Sequence, residues 1–142
     1  EVSGISERLV KFMRMCFRKL PAPSACITTI SSAFFGAISG SAPATAAAIG
    51  GIMIQPMKDV GYGGDDAAAI SASSASLGIV IPPSIPMVVF ATTASVSVGT
   101  LFMGGIIPGM LVALVFCIIH GIRYHQVEKT SNQKLTLKEF VS

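Results

Sequence analysis

Leu77-Gly78-Ile79-Val80-Ile81-Pro82-Pro83-Ser84-Ile85-Pro86-Met87 is the stretch whose reading decides the fold. Its three prolines remove three amide donors and bias the residues before them away from helix, so the carbonyls of Gly78 to Ile81 lose their intrahelical partners. The stretch lies inside residues 67 to 122, a run of 56 without a single Asp, Glu, Lys or Arg. A hydrocarbon core of about 30 Å takes roughly 20 helical residues to cross, so this run has room for two spans. The first, residues 67–96, reads as a discontinuous transmembrane helix whose open carbonyls need a cation, water or a donor at mid-depth. The competing reading is a Pro-kinked helix whose open carbonyls are satisfied by Ser and Thr side chains.

A second uncharged run, residues 20 to 57, precedes it. It divides at Ser39-Gly40-Ser41-Ala42-Pro43, and its arms, residues 24 to 38 and 44 to 57, would extend only about 21 to 23 Å as helices. Neither arm crosses a bilayer, so residues 24–57 read as a re-entrant hairpin with both ends on one side. Non-helical backbone at membrane depth survives only where it is buried in protein or lines a wet cavity, which makes the tip a functional candidate. Gly36 and Gly40 form a small-xxx-small pair, and Ala44, Ala46, Ala47 and Ala48 keep the second arm slim, so close helix packing is expected.

The remaining segments follow from charge. Residues 1–23 read as an amphipathic interfacial helix, with Ile5, Leu9, Phe12, Met13, Cys16, Phe17 and Leu20 opposite Glu7, Arg8, Lys11, Arg14 and Arg18. Leu20-Pro21-Ala22-Pro23 stops it. Residues 58–66 make a cytoplasmic, glycine-rich turn in which Asp65 or Asp66 is placed to cap the next helix. Residues 97–126 hold an uncharged connector and a strongly apolar helix, Ile106 to Ile122, that Arg123 is expected to end, and residues 127–142 form a polar cytoplasmic tail. His120 reads as a snorkelling residue or a helix contact near the interface, with a proton relay as the alternative.

Of the 142 residues 51% are hydrophobic and 12% charged, with ten Lys plus Arg against seven Asp plus Glu. That is about half the usual charged fraction, and it excludes an ordinary water-facing surface. The chain reads as all-α and integral to the membrane. Cys16, Cys26 and Cys117 are widely spaced and read as small packing residues. Residues 1 to 19 carry charge throughout, unlike a signal peptide, and two spans with a hairpin make a thin bundle, so a piece of a longer protein is expected.

No catalytic constellation emerges, because His120 and His125 are expected at the cytoplasmic end while Ser39, Ser41 and Ser84 are expected near the midplane. There is no nucleotide-binding fingerprint, and nothing points to nucleic acid. What remains is a pair of broken elements. Carbonyls ending one half-helix attract a cation, and amides starting the next attract an anion. If the tip at Ser39 to Thr45 meets the break at Gly78 to Ser84, their oxygens form a nest without a carboxylate. Such a nest favours Na⁺ over Ca²⁺ or a transition metal.

Phe34-Phe35-Gly36-Ala37-Ile38-Ser39-Gly40-Ser41, continuing to Ala48-Ile49-Gly50, then Leu77 to Met87 and Gly105-Ile106-Ile107-Pro108-Gly109, resembles the large membrane subunit (DctM type) of tripartite ATP-independent periplasmic transporters. The resemblance covers nearly the whole chain. It implies a sodium-driven elevator of the ion-transporter superfamily in the bacterial inner membrane, taking up an organic acid without enzymatic chemistry. It further implies two protein partners, a periplasmic substrate-binding protein (DctP type) and a small membrane subunit (DctQ type), and Na⁺ as coupling ion with no other cofactor. This piece would be the first inverted repeat. By the family pattern Ser39, Gly40, Ser41, Gly78, Ile81 and Pro83 supply one sodium site, to which tip-and-break geometry adds Thr45 and Ser84. A channel-like or structural membrane subunit is the alternative function.

Overall fold

The structure, a computed structural model, describes Arg8, Phe12 and residues 23–141, with side chains through Val127. Apart from Arg8 and Phe12, the amphipathic arm expected over residues 5 to 20 lies outside the described residues, as do the side chains of the tail beyond Val127.

The described residues are helical, with no strand among them. In chain order they form α1 (Pro23–Ser39), α2 (Ala42–Thr45), a π-helical turn (Ala46–Gly50), α3 (Gly51–Asp59), α4 (Gly64–Ala75), α5 (Leu77–Val80), α6 (Ile85–Thr93) and α7 (Val98–Val141). The second hairpin arm is one continuous helical rod, α2 through the π turn to α3, packed back against α1. Its buried residues Thr45, Ile49, Met53 and Met57 recur every fourth position. A four-residue step overshoots a 3.6-residue turn by about 40°, so a strict α-helix would rotate this row out of the core. The wider π turn at Ala46–Gly50 absorbs part of that drift.

Ala25 and Ile27 of α1, Ile49, Met53 and Met57 of the second arm, and Ala67 and Ile70 of α4 make the hydrophobic core, closed by Tyr62 and Tyr124. The Tyr62 and Tyr124 rings lie 5.1 Å apart. Two 30-residue helical segments, Gly64–Thr93 and Val98–Val127, are long and apolar enough to cross a membrane, whereas Pro23–Ser39 is shorter. Met103, Ile107, Met110, Leu111, Leu114, Ile118 and Ile122 on α7 stay exposed, as they would against lipid or further protein.

Several boundaries differ from the sequence expectation, each for a local reason. Helix resumes at Ile85 instead of Met87, because Pro86 falls in the first turn of α6, where its missing amide costs nothing. The last connector is shorter than expected, since α7 begins at Val98 and takes Pro108 into its interior. Arg123 does not end α7: residues 122 to 141 contain no Gly or Pro, so nothing stops the helix before Val141. Neither Asp65 nor Asp66 caps α4, whose N-cap is Gly63. Both lie in the first turn, where they complement the helix dipole, and Asp66 Oδ1 accepts a 2.7 Å hydrogen bond from the Tyr124 hydroxyl.

Candidate functional site

Four helix ends meet where the hairpin tip touches the broken span. α1 ends at Ser39 and α5 at Val80, while α2 starts at Ala42 and α6 at Ile85. Gly40 lets the chain turn: its φ of +63° is the left-handed conformation that glycine adopts freely, and its amide donates to Gly36 O at 2.7 Å. Ser41 follows in extended conformation as N-cap, its Oγ accepting from the Ala44 amide at 3.5 Å, with Pro43 in the first turn.

The tip is latched to the break by backbone. Ile85 N–H donates to Gly40 O at 3.1 Å. One helical turn earlier, α1 and α5 cross at their glycines, where a Cβ built on Gly36 would lie 2.5 Å from Gly78 Cα. No side chain fits between these backbones.

Beside that crossing is a cluster of oxygens. Thr45 Oγ1, fully buried, donates to Ser41 O at 2.8 Å and lies 3.2 Å from Ser39 Oγ. Ser41 O also accepts from Thr45 N at 3.1 Å and from Ser39 Oγ at 3.4 Å. A Cβ on Gly78 would meet Thr45 Oγ1 at 2.7 Å and Ser41 O at 3.0 Å, so Gly78 presents bare backbone to these oxygens. Thus Ser39, Ser41, Thr45 and Gly78 are brought together, and Gly40 joins them through its contact with Pro83, whose carbonyl would lie 3.0 Å from a Gly40 Cβ.

Ser84 and Ile81 are placed differently. The Ser84 hydroxyl is buried and donates to Ile79 O at 2.7 Å, so one open carbonyl of the break is satisfied by a side chain, as the kinked-helix reading expected. Ile81 N–H donates to Leu77 O at 2.9 Å, and the Ile81 side chain packs on α7, where a Cβ at Gly109 would lie 2.9 Å from it.

No Asp, Glu, Lys or Arg occurs in residues 20 to 57 or 67 to 122, so the cluster draws its field from dipoles alone. α1 ends at the cluster with Ser39, and the carbonyl end of a helix favours a positive charge. Among the described residues no group of three or more His, Cys, Asp or Glu could hold a metal ion. A separate groove of about 960 Å³ runs between α1 and α7, lined by Ile30, Phe34, Ile81, Met110 and Leu114 with Cys26 and Cys117. Its walls are apolar and offer nothing to a hydrated ion.

Sequence reasoning missed the latch from Ile85 to Gly40, because backbone pairing between distant segments leaves no residue-type signature. It also missed the buried hydroxyl row of α1. Thr28, Thr29, Ser31 and Ser32 are all buried, and the Ser31 and Ser32 hydroxyls have no partner among the described residues. The signal was present: four hydroxyl residues within a five-residue stretch of an uncharged arm.

Two helical segments long and apolar enough to cross a membrane, with a helical hairpin seated on a proline-broken helix, have the character of an integral membrane protein. The family described as "Tripartite ATP-independent periplasmic transporter, DctM component" matches residues 1–141, and the chain belongs to that family. It is 46% identical over 111 residues to the isethionate TRAP transporter permease protein DctMQ of Oleidesulfovibrio alaskensis, covering 78% of this chain and 18% of that protein. It is 35% identical over 139 residues to the C4-dicarboxylate TRAP transporter large permease protein DctM of Pseudomonas aeruginosa, covering 98% of this chain and 33% of that protein. Over 117 residues it is 32% identical to the sialic acid TRAP transporter large permease protein SiaM of Vibrio cholerae, covering 82% and 27%. The chain spans about a third or less of the length of these relatives.

Proposed function

We propose that this chain is the part of a larger permease that binds one coupling sodium ion during uptake of an organic acid across the bacterial inner membrane. The observation that carries the reading is the seating of the hairpin tip on the break, which gathers Ser39, Ser41, Thr45 and Gly78 into one carboxylate-free cluster. Hydroxyl and carbonyl oxygens without formal charge suit a weakly held monovalent cation that must be released each cycle. Pro83 belongs to the site through its carbonyl beside Gly40, while Ser84 and Ile81 hold the break in shape around it. The hairpin is then re-entrant, its tip at membrane depth, and it moves with the broken span as one elevator body.

Ion entry requires hydroxyls to rotate. Ser41 O accepts from the Thr45 and Ser39 hydroxyls as well as from the Thr45 amide, so an arriving cation turns both hydroxyl hydrogens away from Ser41 O and presents the Thr45 and Ser39 oxygen lone pairs inward. A cation that needs the tip and the break correctly apposed couples ion occupancy to substrate affinity, and linkage makes the coupling reciprocal.

The three relatives are named for isethionate, C4-dicarboxylates and sialic acid. All are organic acids, which supports an anionic substrate here. A periplasmic substrate-binding protein would deliver it and a small membrane subunit would complete the assembly, as the family description supports.

The test is uptake by the complete complex in proteoliposomes against external Na⁺, with wild type beside Ser41→Ala and Gly78→Leu. Wild type should require Na⁺ and Gly78→Leu should lose that dependence together with uptake. Equal uptake in K⁺ without Na⁺, or an unchanged sodium dependence in Gly78→Leu, would reduce the break to a kink.

A further inference from the structure

Two helical turns from the glycine crossing, α1, α4 and α7 are joined by a second set of polar contacts. Thr29 Oγ1 of α1 lies 3.0 Å from Ser74 Oγ of α4 and 3.0 Å from His120 Nδ1 of α7. Thr29 and Ser74 are fully buried and His120 is 7% exposed. His120 is thus the helix contact of the sequence reading, and it faces inward instead of snorkelling.

Three polar groups inside an apolar helix bundle are held at a desolvation cost unless each is paired. Here the pairing closes in two ways. The Thr29 hydroxyl can donate to Ala25 O, 3.1 Å away, while Ser74 and an Nδ1-protonated His120 donate to Thr29. Alternatively Thr29 donates to a bare His120 Nδ1 and accepts from Ser74. Either way the Thr29 oxygen is the shared centre.

The location gives the clasp a purpose. Ser74 is the last buried polar residue before Ser76, which separates α4 from α5 and whose amide and hydroxyl both turn back to Ser73 O. Gly78, four residues beyond Ser74, presents its backbone to Ser41 and Thr45. α7, which carries His120, also supports the break at its other end, where Cβ atoms on Gly105 and Gly109 would meet Pro82 and Ile81 at 3.1 and 2.9 Å. A shift of α4 relative to α1 therefore transmits directly to the distance between Gly78 and the tip oxygens.

We infer that His120, with Thr29 and Ser74, is a positioning residue for the cation site: it fixes the register of the broken span against the hairpin arm and thereby sets sodium affinity. The inference rests on the sodium reading above. Nothing in it requires His120 to touch the ion or the substrate.

The experiment measures sodium activation of uptake by the complete permease with its partners, reading the half-saturating Na⁺ concentration and the maximal rate separately. His120→Leu should raise half-saturating Na⁺ roughly five-fold, the factor that losing one hydrogen bond gives, with a smaller change in maximal rate. His120→Asn, whose amide can donate or accept near the Nδ1 position, should recover most of the loss. Thr29→Val should match His120→Leu, and the double variant should be no worse than either alone, because both break the same clasp. Thr29→Val also serves should His120→Leu fail to assemble. Ile122→Ala, on the exposed side of α7, should leave both parameters unchanged. Unaltered half-saturating Na⁺ in Thr29→Val and His120→Leu, multiplicative effects in the double variant, or no rescue by Asn would overturn the inference while leaving the sodium site standing. A wild type indifferent to Na⁺ would overturn both.

Discussion

At Gly78 a single methyl group decides whether the oxygen cluster can form, since its carbon would sit 2.7 Å from Thr45 Oγ1. The neighbouring hydroxyls are not equivalent. Ser41 contributes its carbonyl to the cluster, whereas its Oγ serves as a long N-cap at 3.5 Å, so Ser41→Ala should cost the hairpin only about 0.5 kcal/mol and barely move sodium activation. Thr45→Val, nearly isosteric, deletes an oxygen at the centre of the cluster. A hydrogen bond or contact to a charged group is worth roughly 1.5–3 kcal/mol, so Thr45→Val should raise half-saturating Na⁺ by at least about tenfold. Sodium titration of uptake checks both, and a Ser41→Ala defect larger than that of Thr45→Val would reverse the assignment. Much of this was legible in the residues: Ser39, Ser41 and Thr45 at one tip and Gly78 at one break are small or hydroxylic where apolar bulk would be ordinary. The division of labour between Ser41 O and Ser41 Oγ was not legible, because it depends on the extended conformation that places that side chain on the α2 amides.

At the scale of elements, the hairpin and the broken span lock together through Gly40. Its φ of +63° and the Pro83 carbonyl 3.0 Å from its missing Cβ make two independent demands for glycine. Gly40→Ala should therefore lower stability by roughly 1–2 kcal/mol and loosen the tip, seen as a lower unfolding midpoint of the purified permease and faster labelling of a cysteine placed at position 42. Unchanged values of both would mean that the tip is not held by the break. The break itself was evident from Pro82, Pro83 and Pro86, since one uninterrupted helix cannot run through three missing amides. Its partner for Ile79 O is Ser84, five residues along the same chain, the side-chain satisfaction that the kinked-helix reading expects. Helix ends were less legible. Arg123 signals a membrane boundary by its charge, yet charge does not stop a helix, and α7 continues until Val141. The Asp65-Asp66 pair looked like a cap, but Asp66 accepts instead from Tyr124, 58 residues away. That contact depends on how α7 folds back, which local sequence does not encode.

For the molecule as a whole, the placement of Lys and Arg sets an orientation. Residues 1 to 19, Lys58 and the segment from Arg123 onward hold all ten basic residues, so these are expected on the cytoplasmic face and Thr93 to Thr100 on the periplasmic face. A cysteine at position 97 of the intact, otherwise Cys-free subunit should react with an impermeant thiol reagent from the periplasm; reaction only from the cytoplasm would invert the topology. The exposed apolar side of α7 agrees with a piece that meets lipid or further protein. Membrane character was readable from composition because two uncharged runs cannot form a soluble surface. The apposition of tip and break was readable only as a condition, since it joins segments some forty residues apart by backbone contacts. That apposition is the central claim in functional form, and equilibrium binding of radioactive sodium to the purified complete permease tests it most directly. The account predicts that Gly78→Leu binds one sodium ion fewer than wild type while remaining folded and assembled with its small subunit. An unchanged number of bound ions in that variant would contradict it.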